Sequence, residues 1–135
     1  MNTDAPLPPH RHTFRKRERI VSRKLMETLF ARRDGSRQSA AYPLRVVTME
    51  RQRDDHEEPL QILISVPKKR LHHAVDRNRA KRQVREAYRQ NRQILAEHIG
   101  EGRAMAVAFI WVADEPVESQ RVESSVKKLL SRMKP

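Results

Sequence analysis

The sequence predicts an α+β fold, a two-layer α/β sandwich in one domain. Three observations predict it. Residues 104–113, with Phe109 and Trp111 among them, are almost continuously apolar, which reads as a central strand buried on both faces. Residues 42–51 and 60–66 alternate at the period of a strand. Residues 77–99 and 118–133 repeat their apolar side chains at helical spacing. The order along the chain is helix, two or three strands, helix, strand, helix.

Taken in order, residues 1–12 hold three prolines and read as a disordered extension, which leaves residues 13–135 as a single domain. Phe14 to Ile20 is basic with apolar ends and reads as an extended strap. Ser22 is placed to cap a helix over 23–33, with Leu25, Met26, Leu29 and Phe30 on one side and Gly35 as its stop. Residues 34–39 read as a loop. In the strand over 42–51, Tyr42, Leu44, Val46 and Thr48 take one face and Arg45, Val47 and Met49 the other; Pro43 suits the strand's start. After a charged loop, residues 60–66 alternate Leu60, Ile62, Ile64 and Val66, so the two strands are expected to pair as an antiparallel hairpin. Residues 71–75 are short enough to be a third strand. The next helix is expected over 77–99, capped by Asp76 and ended by Gly100 and Gly102. The closing helix, 118–133, aligns Val122, Val126, Leu129, Leu130 and Met133.

Charge placement narrows the function. The net charge is +12, and residues 77–92 alone hold seven basic groups against Glu86. Residues 11–24 hold another seven against Glu18, while the basic and acidic groups of the remainder cancel. Two concentrated blocks are an electrostatic footprint for a polyphosphate rather than a solubility device. There is no cysteine, so neither a disulfide framework nor a thiolate metal site is available. No run approaches membrane-spanning length, and the first residues lack the apolar core of a signal peptide. The expectation is a soluble, cytoplasmic protein with no membrane partner.

Catalysis by the polypeptide has little to stand on. The one dense acidic cluster, Asp54-Asp55-His56-Glu57-Glu58, is a loop of consecutive residues that point in different directions. A two-metal nuclease instead holds carboxylates on fixed elements, with its ions roughly 4 Å apart. His72 and His73 are neighbours on an extended stretch and face opposite ways. With three glycines in the chain there is no glycine-rich phosphate loop. No dedicated protein metal site and no catalytic side chain are expected.

The helix after residue 76 is more informative. Ala80, Val84, Ala87, Tyr88, Ile94 and Leu95 define an apolar side. Asn78, Arg82, Arg85, Arg89 and Arg92, at steps of four and three, define a second. Arg77, Arg79 and Lys81 crowd its start. Guanidinium groups match phosphate oxygens in pairs and stack on bases. Basic helices also enter the major groove of DNA, but no helix-turn-helix or zipper pattern is present, and a buried strand follows directly. Spacing alone therefore leans to RNA over DNA.

The wording of this stretch carries a resemblance. Ala74-Val75-Asp76-Arg77-Asn78-Arg79-Ala80-Lys81-Arg82, continuing through Arg85-Glu86-Ala87-Tyr88-Arg89, closely resembles the Arg-Asn-Arg signature of the bacterial ribonuclease P protein component. Ile64-Ser65-Val66-Pro67-Lys68-Lys69 is similar to the strand before that signature, and Phe14 to Ile20 with the helix ending in Leu29-Phe30 is similar to the family's opening. The resemblance covers about residues 13–133. It implies the order αβββαβα, like the second domain of ribosomal protein S5, with a left-handed βαβ crossover against the roughly 98% right-handed rule. It implies the small subunit of a ribonucleoprotein endoribonuclease whose catalytic RNA subunit, with Mg²⁺ held mainly by that RNA, cleaves the 5′ leader from precursor tRNA. By position, Arg77, Asn78, Arg79, Lys81, Arg82, Arg85 and Arg89 would contact the RNA subunit. A cleft for the leader would draw on Phe14, Arg15, Lys16, Met26, Phe30, Tyr42, Arg45, Lys68 and Lys69. Met26 stands where other members often have Phe, and Arg45 where some have an aromatic. The 1–12 extension and the 54–58 loop have no place in the family pattern. The expected partners are the RNA subunit and precursor tRNA, with no obligate protein partner. The competing readings are a ribosome-associated RNA-binding module without a nuclease partner and, further off, a metal-dependent nuclease acting alone.

Overall fold

The computed structural model describes residues 36–52 and 59–134. Their elements run β1 (Ser36–Ala41), β2 (Leu44–Gln52), β3 (Leu60–Ser65), α1 (Ala74–Asn91), α2 (Gln93–Ala96), β4 (Arg103–Trp111) and α3 (Ser119–Arg132). The four strands make one sheet in the order β1-β2-β4-β3. β4 is antiparallel to β2, with Val46 opposite Phe109, and parallel to β3, with Ile62 opposite Val107. Apart from its first residue, every position of β4 is buried. That agrees with the expected central strand: a run without polar alternation has to be covered on both faces.

The expected hairpin between residues 42–51 and 60–66 does not form. β2 and β3 are not neighbours, because β4 lies between them. Nor are residues 34–39 wholly loop, since β1 begins at Ser36 and pairs antiparallel with β2. Tyr42 and Pro43 are the tight turn that joins them, with a cis bond between the two. β1 reads Ser-Arg-Gln-Ser-Ala-Ala and follows no apolar alternation, because an edge strand needs only its ladder on one side. Residues 71–73 are irregular rather than a strand, and Ala74 already begins α1.

Period-two alternation sorts the sheet into two apolar faces. Leu44, Val46, Leu60, Ile62, Met105, Val107, Phe109 and Trp111 share one core with the buried sides of α1 and α3. Thr48 belongs to this side, its Oγ1 lying 3.4 Å from Met133 Sδ. Val47, Met49, Ala106, Ala108 and Ile110 form a second cluster on the opposite face, to which no residue of α1, α2 or α3 contributes. Trp111, Tyr88 and Phe109 are the largest wholly buried side chains. Each such burial contributes about 1.5–3 kcal/mol. The rings of Tyr88 and Phe109 meet edge to face, centroids 6.3 Å apart, and tie α1 to the centre of the sheet.

α1 starts earlier than expected. His73 is its N-cap residue and offers no side-chain cap, while Asp76 sits in the first turn, where its charge still favours the helix dipole. The helix expected over 77–99 is interrupted after Asn91. The Asn91 amide donates to the Ala87 carbonyl at 2.8 Å and competes with the ladder at that point. α2 then buries Leu95, and Gly102, at φ 74°, turns the chain into β4. α3 matches the closing helix, burying Val122, Val126, Leu129 and Leu130. The expected helix 23–33, the 1–12 extension and the 54–58 loop lie outside the described residues.

Candidate nucleic-acid interface

The basic row of α1 is built from the same spacing that builds its buried side. Ala80, Val84, Ala87, Tyr88 and Asn91 face the core, so Asn78, Arg82, Arg85 and Arg89 lie on the opposite side of the cylinder. Asn78, Arg79 and Arg82 are exposed; Arg77, Lys81, Arg85 and Arg89 are half-buried along their stems. Among the described residues, no carboxylate lies within ion-pair distance of Arg79, Lys81, Arg82 or Arg85. The Arg85 Nε is buried yet has no hydrogen-bond partner, an unusual state for a guanidinium N–H. Four cations without a carboxylate partner among the described residues, on a helix anchored by Tyr88, are suited to an external polyanion.

Two members of the row have partners of their own. Arg77 donates from Nη1 to the Leu71 and His72 carbonyls, both at 2.9 Å, and so clamps the loop that enters α1. Nothing in residue spacing foretells that clamp, because it depends on where the loop carbonyls point. Arg89 pairs with Glu86 three residues earlier, at 3.0 Å from Nε and 2.5 Å from Nη2. That pair is legible in the i,i+3 spacing. Hydrogen bonds from Arg89 and then from Gln90 hold the Glu86 carboxyl well below its ordinary value, at about 2, and Glu86 in turn pushes the Arg89 pKa up. Glu86 therefore competes with any phosphate for Arg89.

Of the residues expected in the leader cleft, the structure brings four to one end of the sheet. Leu44 stands opposite Trp111 and Ser65 opposite Ile110, so the β1–β2 turn and the segment after β3 emerge together. Lys68 and Lys69 are exposed on a turn closed by Arg70 N–H to the Pro67 carbonyl at 3.0 Å. Arg70 itself pairs with Asp114 at 3.1 Å. Tyr42 remains 46% exposed; Arg121 of α3 stacks over its ring at 4.8 Å, and its hydroxyl lies 3.4 Å from a Glu115 oxygen. Arg45 shares its parity with Val47 and so projects on the second face of the sheet, half-buried, with a buried Nε that has no partner. Tyr42 and Arg45 thus share an end of the sheet without touching a common surface. Phe14, Arg15, Lys16, Met26 and Phe30 lie outside the described residues. The Arg121 and Glu115 contacts to Tyr42 were not foreseen; they span more than seventy positions and leave no local signal.

Among the described residues, no group of three or more His, Cys, Asp or Glu is gathered closely enough to hold a metal ion, and His72 and His73 are both exposed. No helix among them is long and apolar enough to cross a membrane.

Comparison with known proteins adds the following. The sequence model of the family described as Ribonuclease P matches residues 14–134. A Porphyromonas gingivalis protein called Ribonuclease P protein component is 39% identical over 120 residues, spanning 87% of this chain and 84% of that protein. A shorter match, 52% identical over 44 residues, covers 33% of this chain and 30% of the Ribonuclease P protein component of Chlorobium phaeobacteroides. The solved RNase P protein from Thermotoga maritima superposes with a TM-score of 0.64 at 21% identity, covering 87% of this chain and 99% of that one. At that identity the superposition speaks for a shared fold.

Proposed function

The chain belongs to the ribonuclease P protein family, and from that premise we propose that it is the protein subunit of a ribonucleoprotein that removes the 5′ leader of precursor tRNA. The bond chemistry belongs to the RNA subunit and to Mg²⁺ held mainly by that RNA. The polypeptide contributes binding energy and position.

The observation that carries this reading is the set Arg79, Lys81, Arg82 and Arg85 on α1, which has no carboxylate partner among the described residues, on a helix held at a fixed angle by Tyr88 against Phe109. In the proposal Asn78, Arg79, Lys81, Arg82 and Arg85 dock on phosphates of the RNA subunit. Arg77 shapes the helix entry as well as binding, and Arg89 binds in competition with Glu86. The leader passes the end of the sheet that holds Tyr42, Lys68 and Lys69, with Arg45 and the segment carrying Phe14, Arg15, Lys16, Met26 and Phe30 completing its path. The order αβββαβα and a left-handed crossover through α1 belong to the same proposal. The parallel pairing of β3 and β4 across α1 supports a βαβ unit there. A cytoplasmic location, where precursor tRNA is made, goes with this role.

One assay tests it. Precursor tRNA is incubated at low Mg²⁺ with the protein, with the RNA subunit, and with both. Cleavage at the mature 5′ end confined to the mixture is the expected result. Cleavage by the protein alone transfers the chemistry to the polypeptide and refutes the proposal. A mixture no better than RNA alone, although the protein binds RNA, favours a ribosome-associated module instead.

A further inference from the structure

A second basic surface lies on the far side of α3. Between residues 119 and 134 there are five basic groups, Arg121, Lys127, Lys128, Arg132 and Lys134, and a single acid, Glu123. Glu123 is the i,i+4 neighbour of Lys127 on the helix surface but forms no ion pair with it. It lines, with Glu86, Gln83 and Gln90, a groove of about 370 Å³ between α1 and α3. That neutral-to-acidic groove separates the α1 row from the α3 stripe, so a strand bound on one does not run continuously onto the other.

The stripe is uncompensated and partly prearranged. Lys127 and Lys128 are exposed, and among the described residues neither has a carboxylate partner. With Ser124, Ser131 and Arg132 they line a shallow depression of about 450 Å³. Among the described residues Arg132 is held by neutral oxygens, donating to Ser39 Oγ at 3.1 Å and the Ala40 carbonyl at 2.8 Å. Arg37 of β1 reaches the Met133 carbonyl at 2.7 Å and so adds its charge at the same end. Carbonyls and hydroxyls hold a guanidinium in place without cancelling its charge, which leaves that charge for an outside anion.

At its other end the stripe meets Tyr42. Arg121 stacks on that ring, and Ser125 Oγ donates to the Ala41 carbonyl at 2.5 Å, which seats the first half of α3 against the β1–β2 turn. From this continuity we infer that α3 and the edge of β1 guide the distal part of the single-stranded leader, the nucleotides that lie beyond Tyr42. α3 has 14 residues, a track of roughly 21 Å at about 1.5 Å per residue, room for on the order of four nucleotides. The inference rests on the reading of the bound strand as a precursor leader. It assigns a further stretch of that leader to residues in a different element.

The test uses the complex reconstituted from the full chain and the RNA subunit, with the Lys127→Ala/Lys128→Ala double variant beside the unaltered protein. Equilibrium affinity is measured for tRNA without a leader, with a leader of about two nucleotides, and with one of about ten. If each lysine neutralises one single-strand phosphate, the variant loses on the order of ten- to thirtyfold on the long leader at 0.1 M salt. On the short leader its loss stays within about twofold. Lys127→Arg/Lys128→Arg restores the long-leader affinity. Two outcomes overturn the inference alone: a variant that keeps the whole long-leader gain, or one that loses equally on leaderless tRNA. Unaltered protein whose affinity ignores the leader overturns the underlying reading with it.

Discussion

Arg82 and Arg77 stand five residues apart in the same basic block, and the structure gives them opposite signatures. Arg82 is exposed and unpaired with any carboxylate among the described residues, so Arg82→Ala removes a charge and little else. Its stability should change by no more than about 0.5 kcal/mol. Each phosphate contact contributes about 0.9 to the slope of log affinity against log salt for helical nucleic acid. Losing one such contact should therefore weaken RNA-subunit binding about eightfold at 0.1 M salt and flatten the slope by about 0.9. Arg77→Ala removes two hydrogen bonds to loop carbonyls. Discounted for its partial exposure, that costs about 1–2 kcal/mol, with the larger share of the effect read in unfolding rather than in the salt slope. Urea unfolding and filter binding across a salt series separate the two. An Arg82→Ala protein that unfolds early and keeps its slope refutes the assignment of α1's outer side to RNA.

Further outcomes follow from the same geometry. Glu86→Gln removes the carboxylate charge that competes for Arg89, so RNA affinity should rise and the salt slope steepen by up to about 0.9; unchanged binding places Arg89 outside the interface. Because Glu86 is held at about 2, its contribution to stability is present above its unfolded value of 4.5 and fades as pH falls toward 2. The pair is solvent-screened, so this is under about 1 kcal/mol, and the Gln variant should lack that part of the melting-temperature profile between pH 5 and 2, as calorimetry can check. Tyr88→Ala should cost about 3–5 kcal/mol in chemical unfolding, since it empties a wholly buried site and breaks the contact with Phe109; a cost near 1 would mean that α1 is held elsewhere. Gly102→Ala meets no atom within 4 Å, so its expected cost of about 1 kcal/mol comes from backbone conformation alone, and a neutral result would refute the φ of 74°.

Much of this was legible in the residues. The apolar run over 104–113 read best as a strand covered on both faces, as β4 is, and the 3.6-residue rhythms of α1 and α3 placed their buried sides correctly. The row from Asn78 to Arg89 was visible because core and cation positions interleave at fixed steps. What escaped was non-local. Residues 42–51 and 60–66 look like hairpin partners because they are neighbours in sequence, and no residue in either announces that β4 will insert between them. β1 escaped because Ser36–Ala41 is stabilised by pairing with β2, not by an apolar face of its own. Pro43 signalled a strand start and stands directly before Leu44, where it also closes the turn from β1. At the site, the Arg77 clamp and the Arg121–Tyr42 stack depend on loop carbonyls and ring positions set by tertiary packing.

The place of β4 in the sheet bears on how the chain reaches its fold during synthesis. The strand made last is the one that belongs in the middle, so β2 and β3 leave the ribosome with their inner edges open. Leu60 and Ile62 must wait through about forty-five further residues, and Leu44 and Val46 through more than sixty, before their partners in β4 arrive to bridge them. Open apolar edges at that stage are sticky. The surplus of positive charge that α1 has by then added makes nascent copies repel one another, so the cations proposed to capture RNA also guard assembly early.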